Sequence, residues 1–234
     1  MITAKNLSKS FGPTLALDNV SFKISTGEIV GLLGSNGAGK STLIKILAGV
    51  LVADQGEAIL NGFSILENRT RAQSVTGYLP ESVAGFESST VLEFIQFSAR
   101  SHGFFGKELN KLVFETINYF DLKSVYNKKM SDLSKGWRQR TWLAQCFVNN
   151  PTILFLDEPT DGLDPLQKIT MRKKIKELGK VKTIMMSTHI LEEAELICDR
   201  LLVLHRGRVV TDGSIDELVD EKGRLETQLI NVTR

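Results

Sequence analysis

The chain has 234 residues, 42% of them hydrophobic and 24% charged, and its 29 basic and 27 acidic residues leave a formal net charge of +2. That length suits one α/β domain with a real core, or a core plus a small subdomain. Acids and bases are mixed along the chain with no basic stripe, tail or arginine-rich arm, so nucleic-acid binding is not expected.

Met1-Ile2-Thr3-Ala4-Lys5 lacks an apolar signal region, and no apolar run approaches the length of a membrane span. The expectation is a soluble or peripheral protein whose membrane role, if it has one, needs a partner. Residues 1 to about 30 alternate as strands do, and so do 56 to 66, with Gly27, Gly56 and Asn61-Gly62 as turns. Ile29 to Leu33 is a short apolar run that reads as a buried strand. It leads into Gly34-Ser35-Asn36-Gly37-Ala38-Gly39-Lys40-Ser41, followed by Thr42, and this stretch fits G-x-x-x-x-G-K-[ST]. Lys40 to Ala48 reads as a helix closed by Gly49. A strand, a glycine loop and a helix start gather backbone N–H groups and the positive end of a helix dipole around one anion. Nucleotide binding follows, with Lys40 reaching the β- and γ-phosphates and Ser41 holding Mg²⁺.

Residues from about 90 to 150 have another character. Thr90-Val91-Leu92-Glu93 is a capping box that opens a helix. Leu109, Leu112, Val113, Ile117 and Phe120 mark one face of a second helix. Seven of the 12 phenylalanines lie between Phe86 and Phe120, which suggests a helical insertion with its own apolar content. In Leu133-Ser134-Lys135-Gly136-Trp137-Arg138-Gln139-Arg140, Ser134 reads as an N-cap and Trp137 onward as a basic helix. The Ser134 hydroxyl, the Gly136 N–H and nearby arginine charge make a second anion site. Cys146 and Cys198 lie in apolar helical patterns and read as buried thiols of a reducing compartment, without metal-ligand spacing.

Ile153 to Leu156 is a buried strand that ends in Asp157-Glu158. Asp157 suits a Mg²⁺ contact through water. Glu158, one residue further on, suits a general base on the attacking water. Gln167 to Leu178 reads as a charged helix ended by Gly179, Val181 to Met186 as a strand, and Leu191 to Cys198 as a helix. Leu201 to Leu204 and Arg208 to Thr211 read as a final pair of strands, and Ser214-Ile215-Asp216-Glu217 as a second capping box. This strand–helix alternation implies a mostly parallel sheet.

The segment from Leu133 to Arg140 resembles the signature motif L-S-G-G-Q-[RK]-Q-R of the ATP-binding-cassette ATPases, and other landmarks of that family fall in order across nearly the whole chain. The resemblance implies a P-loop, RecA-like α/β core with a mostly parallel sheet, an N-terminal antiparallel β subdomain and an inserted α-helical subdomain. Residues 1–82 and 151–234 would form the core and 83–150 the helical, signature-bearing part. Phe11 matches the aromatic that stacks on adenine, and Asp164, in Gly162-Leu163-Asp164-Pro165, belongs to the loop that bridges two subunits. His189 matches the switch histidine at the γ-phosphate. Glu81, in Tyr78-Leu79-Pro80-Glu81, stands where the family has a Mg²⁺-sensing glutamine. Lys135 and Trp137 replace a glycine and a glutamine of the signature, and Lys135 is expected to face solvent.

The implied cofactors are ATP and Mg²⁺. The implied partners are a second copy of the chain, with ATP at the interface between one phosphate loop and the other copy's Ser134 and Gly136, and a separate transmembrane permease. Closure would pass to a permease helix in a groove between core and helical block, with Ser82 to Ser89 and Phe86 at the contact. Such a subunit works at the cytoplasmic face of the membrane. The pattern S-K-G-x-R-Q-R with Y-L-P-E is similar to ATPases of two-component export systems, so export is the expected direction. A soluble ATPase of the same family acting on DNA, ribosomes or protein complexes is the alternative. No N-K-x-D segment supports a GTPase. The chain ends at Arg234 with little beyond the core, so no added regulatory domain is expected.

Overall fold

The computed structural model describes residues 1–82 and 84–218. The chain opens with β1 (Ile2–Phe11) and β2 (Thr14–Ile24), then β3 (Ile29–Leu33), α1 (Lys40–Leu47), β4 (Gln55–Leu60), β5 (Phe63–Ser64), α2 (Arg69–Ser74) and β6 (Thr76–Leu79). Three helices follow: α3 (Val91–Ser101), α4 (Gly106–Tyr119) and α5 (Lys135–Phe147). The chain then returns through β7 (Ile153–Leu156), α6 (Pro165–Gly179), β8 (Thr183–Thr188), α7 (Leu191–Ile197), β9 (Arg200–His205), β10 (Arg208–Ser214) and α8 (Ile215–Leu218).

Two sheets result. The first is antiparallel, in the order β2-β1-β4-β5, with two-residue turns at Gly12-Pro13 and at Asn61-Gly62, where both residues have the positive φ of a type I′ hairpin turn. The second runs β10-β9-β3-β8-β7-β6 and is parallel except for the antiparallel edge strand β10. Its register sets Leu33 beside Thr188 and Val203, Leu79 beside Leu156, and Leu156 beside Met186. The strands therefore end at nearly one level. In an open parallel sheet, that C-terminal rim is where ligands bind.

The central strands β3, β7 and β8 are buried along their whole length, as strands covered on both faces must be. The two-residue strand period divides their side chains between two cores. Val30, Leu32, Ile153, Phe155 and Met185 pack with the first sheet and α1. Ile29, Leu33, Leu154, Leu156, Ile184 and Met186 pack with α5, α6, α7 and the apolar faces of α3 and α4. Burying a Leu, Ile or Phe side chain contributes about 1.5–3 kcal/mol. The helices between β6 and β7 are thus joined to the sheet by a continuous core. Cys146 and Cys198 are both buried and free. Burial raises the Cys146 thiol and pushes that of Cys198 up to about 12, so both stay protonated.

Both capping boxes form. Thr90 and Glu93 exchange hydrogen bonds at the start of α3, and Ser214 and Glu217 do so before α8. Several boundaries differ from the sequence reading. Helix α6 begins at Pro165, two residues early, because Asp164 accepts the Gln167 N–H at 2.9 Å and Pro165 takes the first helical position. Strand β8 begins at Thr183, because the Val181 and Lys182 N–H groups both close onto the Leu178 carbonyl at the end of α6. Helix α7 stops at Ile197, with Cys198 already extended. β4 and β5 form on either side of Asn61-Gly62, as read, β9 and β10 are longer than expected, and α2 and β6 were not anticipated.

Candidate active site

The phosphate-loop sequence runs from the end of β3 into α1. Gly39 caps the helix with φ 108°, a left-handed conformation. A Cβ there would come within 2.5 Å of the Ala16 carbonyl, so both backbone shape and space require glycine. The buried Lys40 side chain turns back along the loop and donates to the Gly34 and Ser35 carbonyls at 2.8 and 3.2 Å. Its Nζ lies 3.7 Å from Glu158 Oε1.

Strand β7 delivers the two carboxylates at the same rim. Asp157 is fully buried. Its Oδ1 accepts from Ser41 at 3.2 Å and from Ser187, at the end of β8, at 2.6 Å. Its Oδ2 is buried without a hydrogen-bond partner. The same Ser187 oxygen accepts the Glu158 N–H at 2.9 Å, so one hydroxyl fixes both acidic residues. Glu158 Oε2 lies 3.0 Å from His189 Nδ1. The Glu158 carboxylate is thus held between a lysine and a histidine, within reach of a water or phosphate oxygen entering between them.

Glu158 has φ 47°, a left-handed conformation unusual for a non-glycine residue. Five of the eight such residues among those described are Asn or Asp, the types that tolerate it best. Three elements hold the loop in this shape. Ser187 binds the Glu158 N–H, the buried Gln139 of α5 donates to the Pro159 carbonyl at 3.2 Å, and Thr160 donates to Glu193 of α7. Glu193 also receives Lys168 and Arg172 of α6, each at 3.1 Å. Burial alone would raise the Glu193 carboxyl, but Thr160, Lys168 and Arg172 outweigh it and hold the group below the usual range. Gln139 lies within the signature segment but was given no role there, and Thr160 and Glu193 were not singled out by the sequence reading.

A cleft at this rim is lined by Thr14, Ala16, Asn36, Gly37, Gly39, Lys40, Ser41, Thr42, Glu81 and Glu158, among others. Gly34, Ser35 and Ala38 build the same loop, Gly34 and Ser35 under Lys40. The fold therefore gathers the phosphate loop, both carboxylates, Glu81 and His189 in one place. Phe11 ends β1, half exposed, on the hairpin whose other arm begins at Thr14. Ser134, Gly136 and Asp164 are not among the residues lining the cleft. Ser134 caps α5 through the Trp137 N–H, and Asp164 caps α6. Gly136 is packed so closely on Gln167 of α6 that a Cβ would collide with its amide. Lys135 faces solvent, 54% exposed, with its Nζ 3.6 Å from Oδ2 of the equally exposed Asp161 in the loop after Glu158.

A groove between core and helical block does exist. Val50, Gln73, Tyr78, His102, Trp142 and Gln145 are among its lining residues. Among the described residues of the segment from Ser82 to Ser89, none lines it. Phe86 packs on Phe94, Phe97 and Trp142 while staying 37% exposed, so it reaches the groove only through Trp142. No helix among the described residues is long and apolar enough to cross a membrane.

Comparison with known proteins agrees with this geometry. The family model described as "ABC transporter" matches residues 17–161. The "Probable multidrug ABC transporter ATP-binding protein YbhF" of Escherichia coli (strain K12) is 37% identical over 219 residues, which are 93% of this chain and 38% of that protein. The "Nod factor export ATP-binding protein I" of Rhizobium sp. (strain N33) is 34% identical over 221 residues, 94% of this chain and 73% of that protein. The chain thus spans well under half the length of the first relative and about three quarters of the second. Among solved structures, an ATP-binding subunit of an ABC transporter superposes over 100% of both chains with a TM-score of 0.88 at 30% identity. A dimeric ATP-binding cassette in a post-hydrolysis state, bound to ADP and Pi, covers 92% of this chain and 98% of its own, with a TM-score of 0.83 at 26% identity.

Proposed function

Since this chain belongs to the ABC transporter family of ATP-binding subunits, we propose that it hydrolyses ATP to drive movement of a substrate, in the export direction, through a separate membrane permease. One observation carries the catalytic part: the Glu158 carboxylate lies between Lys40 and His189, directly beside the phosphate loop. In the proposed reaction, the backbone N–H groups of 34–42 and the Lys40 ammonium bind the β- and γ-phosphates of ATP. Glu158 takes the proton of the attacking water, and His189 holds the γ-phosphate side of that geometry. Phe11 stacks on adenine.

The residues at this site also fit Mg²⁺. The Ser41 hydroxyl and a buried Asp157 carboxylate with an orphaned oxygen are hard oxygen donors, the kind that ion takes. Ser41 and Asp157 would hold it, with the Glu81 carboxylate on the same cleft. The ion would neutralise charge on the phosphates. Ser187 keeps Asp157 oriented whatever else is bound.

Ser134, Gly136 and Asp164 lie on helix starts outside the cleft, which supports the reading that they serve a second copy of the chain. In that dimer, residues 83–150 present Ser134 and Gly136 to the partner's ATP, and Asp164 bridges the two subunits. The permease helix would dock in the groove lined by Tyr78, His102 and Trp142, at the cytoplasmic face of the membrane. The dimeric cassette among the solved relatives supports two copies, and the export-type names among the curated relatives support the direction. Capture of this chain from its host's membranes in mild detergent tests the assignment. A polytopic membrane protein in equal amount is the expected companion. Ribosomal or DNA-repair proteins with nothing polytopic would replace the transporter reading with that of a soluble ATPase of the same family.

A further inference from the structure

Glu193 is the most deeply buried carboxylate outside the pair at the end of β7, with 1% of its surface exposed. A carboxylate so placed is retained at a cost in desolvation unless its partners are good. Here all of them belong to the surroundings of Glu158 and His189. Thr160, two residues past Glu158 and itself 2% exposed, donates its hydroxyl to Glu193 Oε2. Lys168 and Arg172 reach Oε1 at 3.1 Å each from α6, the helix that Asp164 caps. Glu193 stands on α7, four residues past His189, and the chain between them turns through the Ile190 N–H bound to the Thr188 hydroxyl.

We propose that Glu193 is a positioning residue for hydrolysis, which ties the loop carrying Glu158 and the segment carrying His189 into one rigid unit through the Thr160 hydroxyl. Glu193 touches neither the nucleotide cleft nor the reacting atoms. Its effect reaches Glu158 through the Thr160–Pro159 backbone, which must hold a left-handed residue in place. A left-handed conformation at a residue such as glutamate persists only where the surroundings over-determine it. Ser187 fixes the loop at the Glu158 N–H and Gln139 at the Pro159 carbonyl, so Thr160 is the third point, and Glu193 alone provides its bond. The ion pairs with Lys168 and Arg172 keep the Glu193 carboxylate ionised and aligned as an acceptor.

The inference rests on the proposed ATP hydrolysis, and its test keeps the two separable. Glu193→Gln and Thr160→Val, singly and together, are compared with wild type for kcat, KM for ATP and equilibrium ATP binding, with thermal unfolding as the check on folding. A misaligned catalytic group lowers turnover by roughly 10- to 100-fold while binding survives. Each single variant should show that fall in kcat at unchanged KM, Thr160→Val because the bond is gone and Glu193→Gln because an amide oxygen without the charge that Lys168 and Arg172 align is a poorer acceptor, and the double variant should be no slower than the worse single, because both act on one contact. A wild type that turns over ATP beside variants within about twofold of its kcat overturns the inference and leaves the proposed function standing. A wild type with no turnover, with or without the permease, overturns the proposed function itself. If Glu193→Gln does not fold, Thr160→Val decides alone, since it removes the hydroxyl and keeps the shape.

Discussion

The side-chain amide of Gln139 donates to the carbonyl of Pro159 across 3.2 Å, with Gln139 almost wholly buried. One hydrogen bond thereby joins the helix that begins at Ser134 and Gly136 to the backbone one residue past Glu158. In the proposed dimer, the signature segment of one copy reads its partner's nucleotide, while the glutamate one residue before Pro159 acts on its own. The Gln139–Pro159 bond is a direct mechanical link between those two tasks.

Gln139→Leu keeps the volume and leaves the Pro159 carbonyl without its donor. A buried polar group left unsatisfied costs about 1–3 kcal/mol. The urea midpoint of the variant should fall accordingly, with an unchanged slope. A midpoint equal to that of wild type would mean the carbonyl finds water or another donor.

Glu158→Gln removes the proton acceptor and keeps the size and hydrogen-bonding reach. Hydrolysis should slow by roughly 10²–10⁴-fold, the usual worth of a general base, while ATP still binds. Turnover at the wild-type rate would take Glu158 out of the mechanism.

Glu81→Gln tests whether a charge is wanted at the rim of the cleft. A carboxylate raises affinity for a hard cation, so the variant should need more Mg²⁺ for half-maximal activity and reach the same rate at saturation. A superimposable Mg²⁺ titration would make the charge irrelevant.

Acid stability carries the mark of Glu193. Its folded carboxyl lies below its ordinary value of 4.5. A depressed carboxyl contributes stability that is fully present above the unfolded value and is lost as pH falls through the folded one. The stability advantage of wild type over Glu193→Gln should therefore hold at neutral pH and shrink as pH falls below the ordinary value of 4.5 and through the folded one. Equilibrium unfolding across that range measures it, and a constant difference would show that the carboxylate is not ionised in the fold.

Much of this candidate site is legible along the chain, because the residues at the cleft are set by local backbone shape. A run of apolar residues followed by Gly34 to Ser41, and another followed by Asp157 and Glu158, announces a strand end in each case, and the parallel register then brings those ends together. Thr160, Gln139 and Glu193 are of another kind. They act through contacts between residues 20 to 33 positions apart, which no local pattern reports, even for Gln139 inside the signature segment. Lys135 faces solvent as expected, but its approach to Asp161 went unread for the same reason: Asp161 belongs to a loop whose fold toward α5 no periodicity reports. Strand β6 and helix α2 escaped because neither shows an apolar pattern: β6 is Thr76-Gly77-Tyr78-Leu79, and Ala72 is the one buried residue of α2.

The backbone of Glu158 has a consequence for anyone who selects variants of this protein. Glycine is the residue that adopts φ 47° without strain, and a glutamate there gives up about 1–3 kcal/mol. A library screened for heat resistance alone would enrich Glu158→Gly and Glu158→Asn, and under the proposed mechanism these survivors would have lost their general base. Durability and work pull in opposite directions at this single position, so a screen for robust variants must count turnovers as well as survivors.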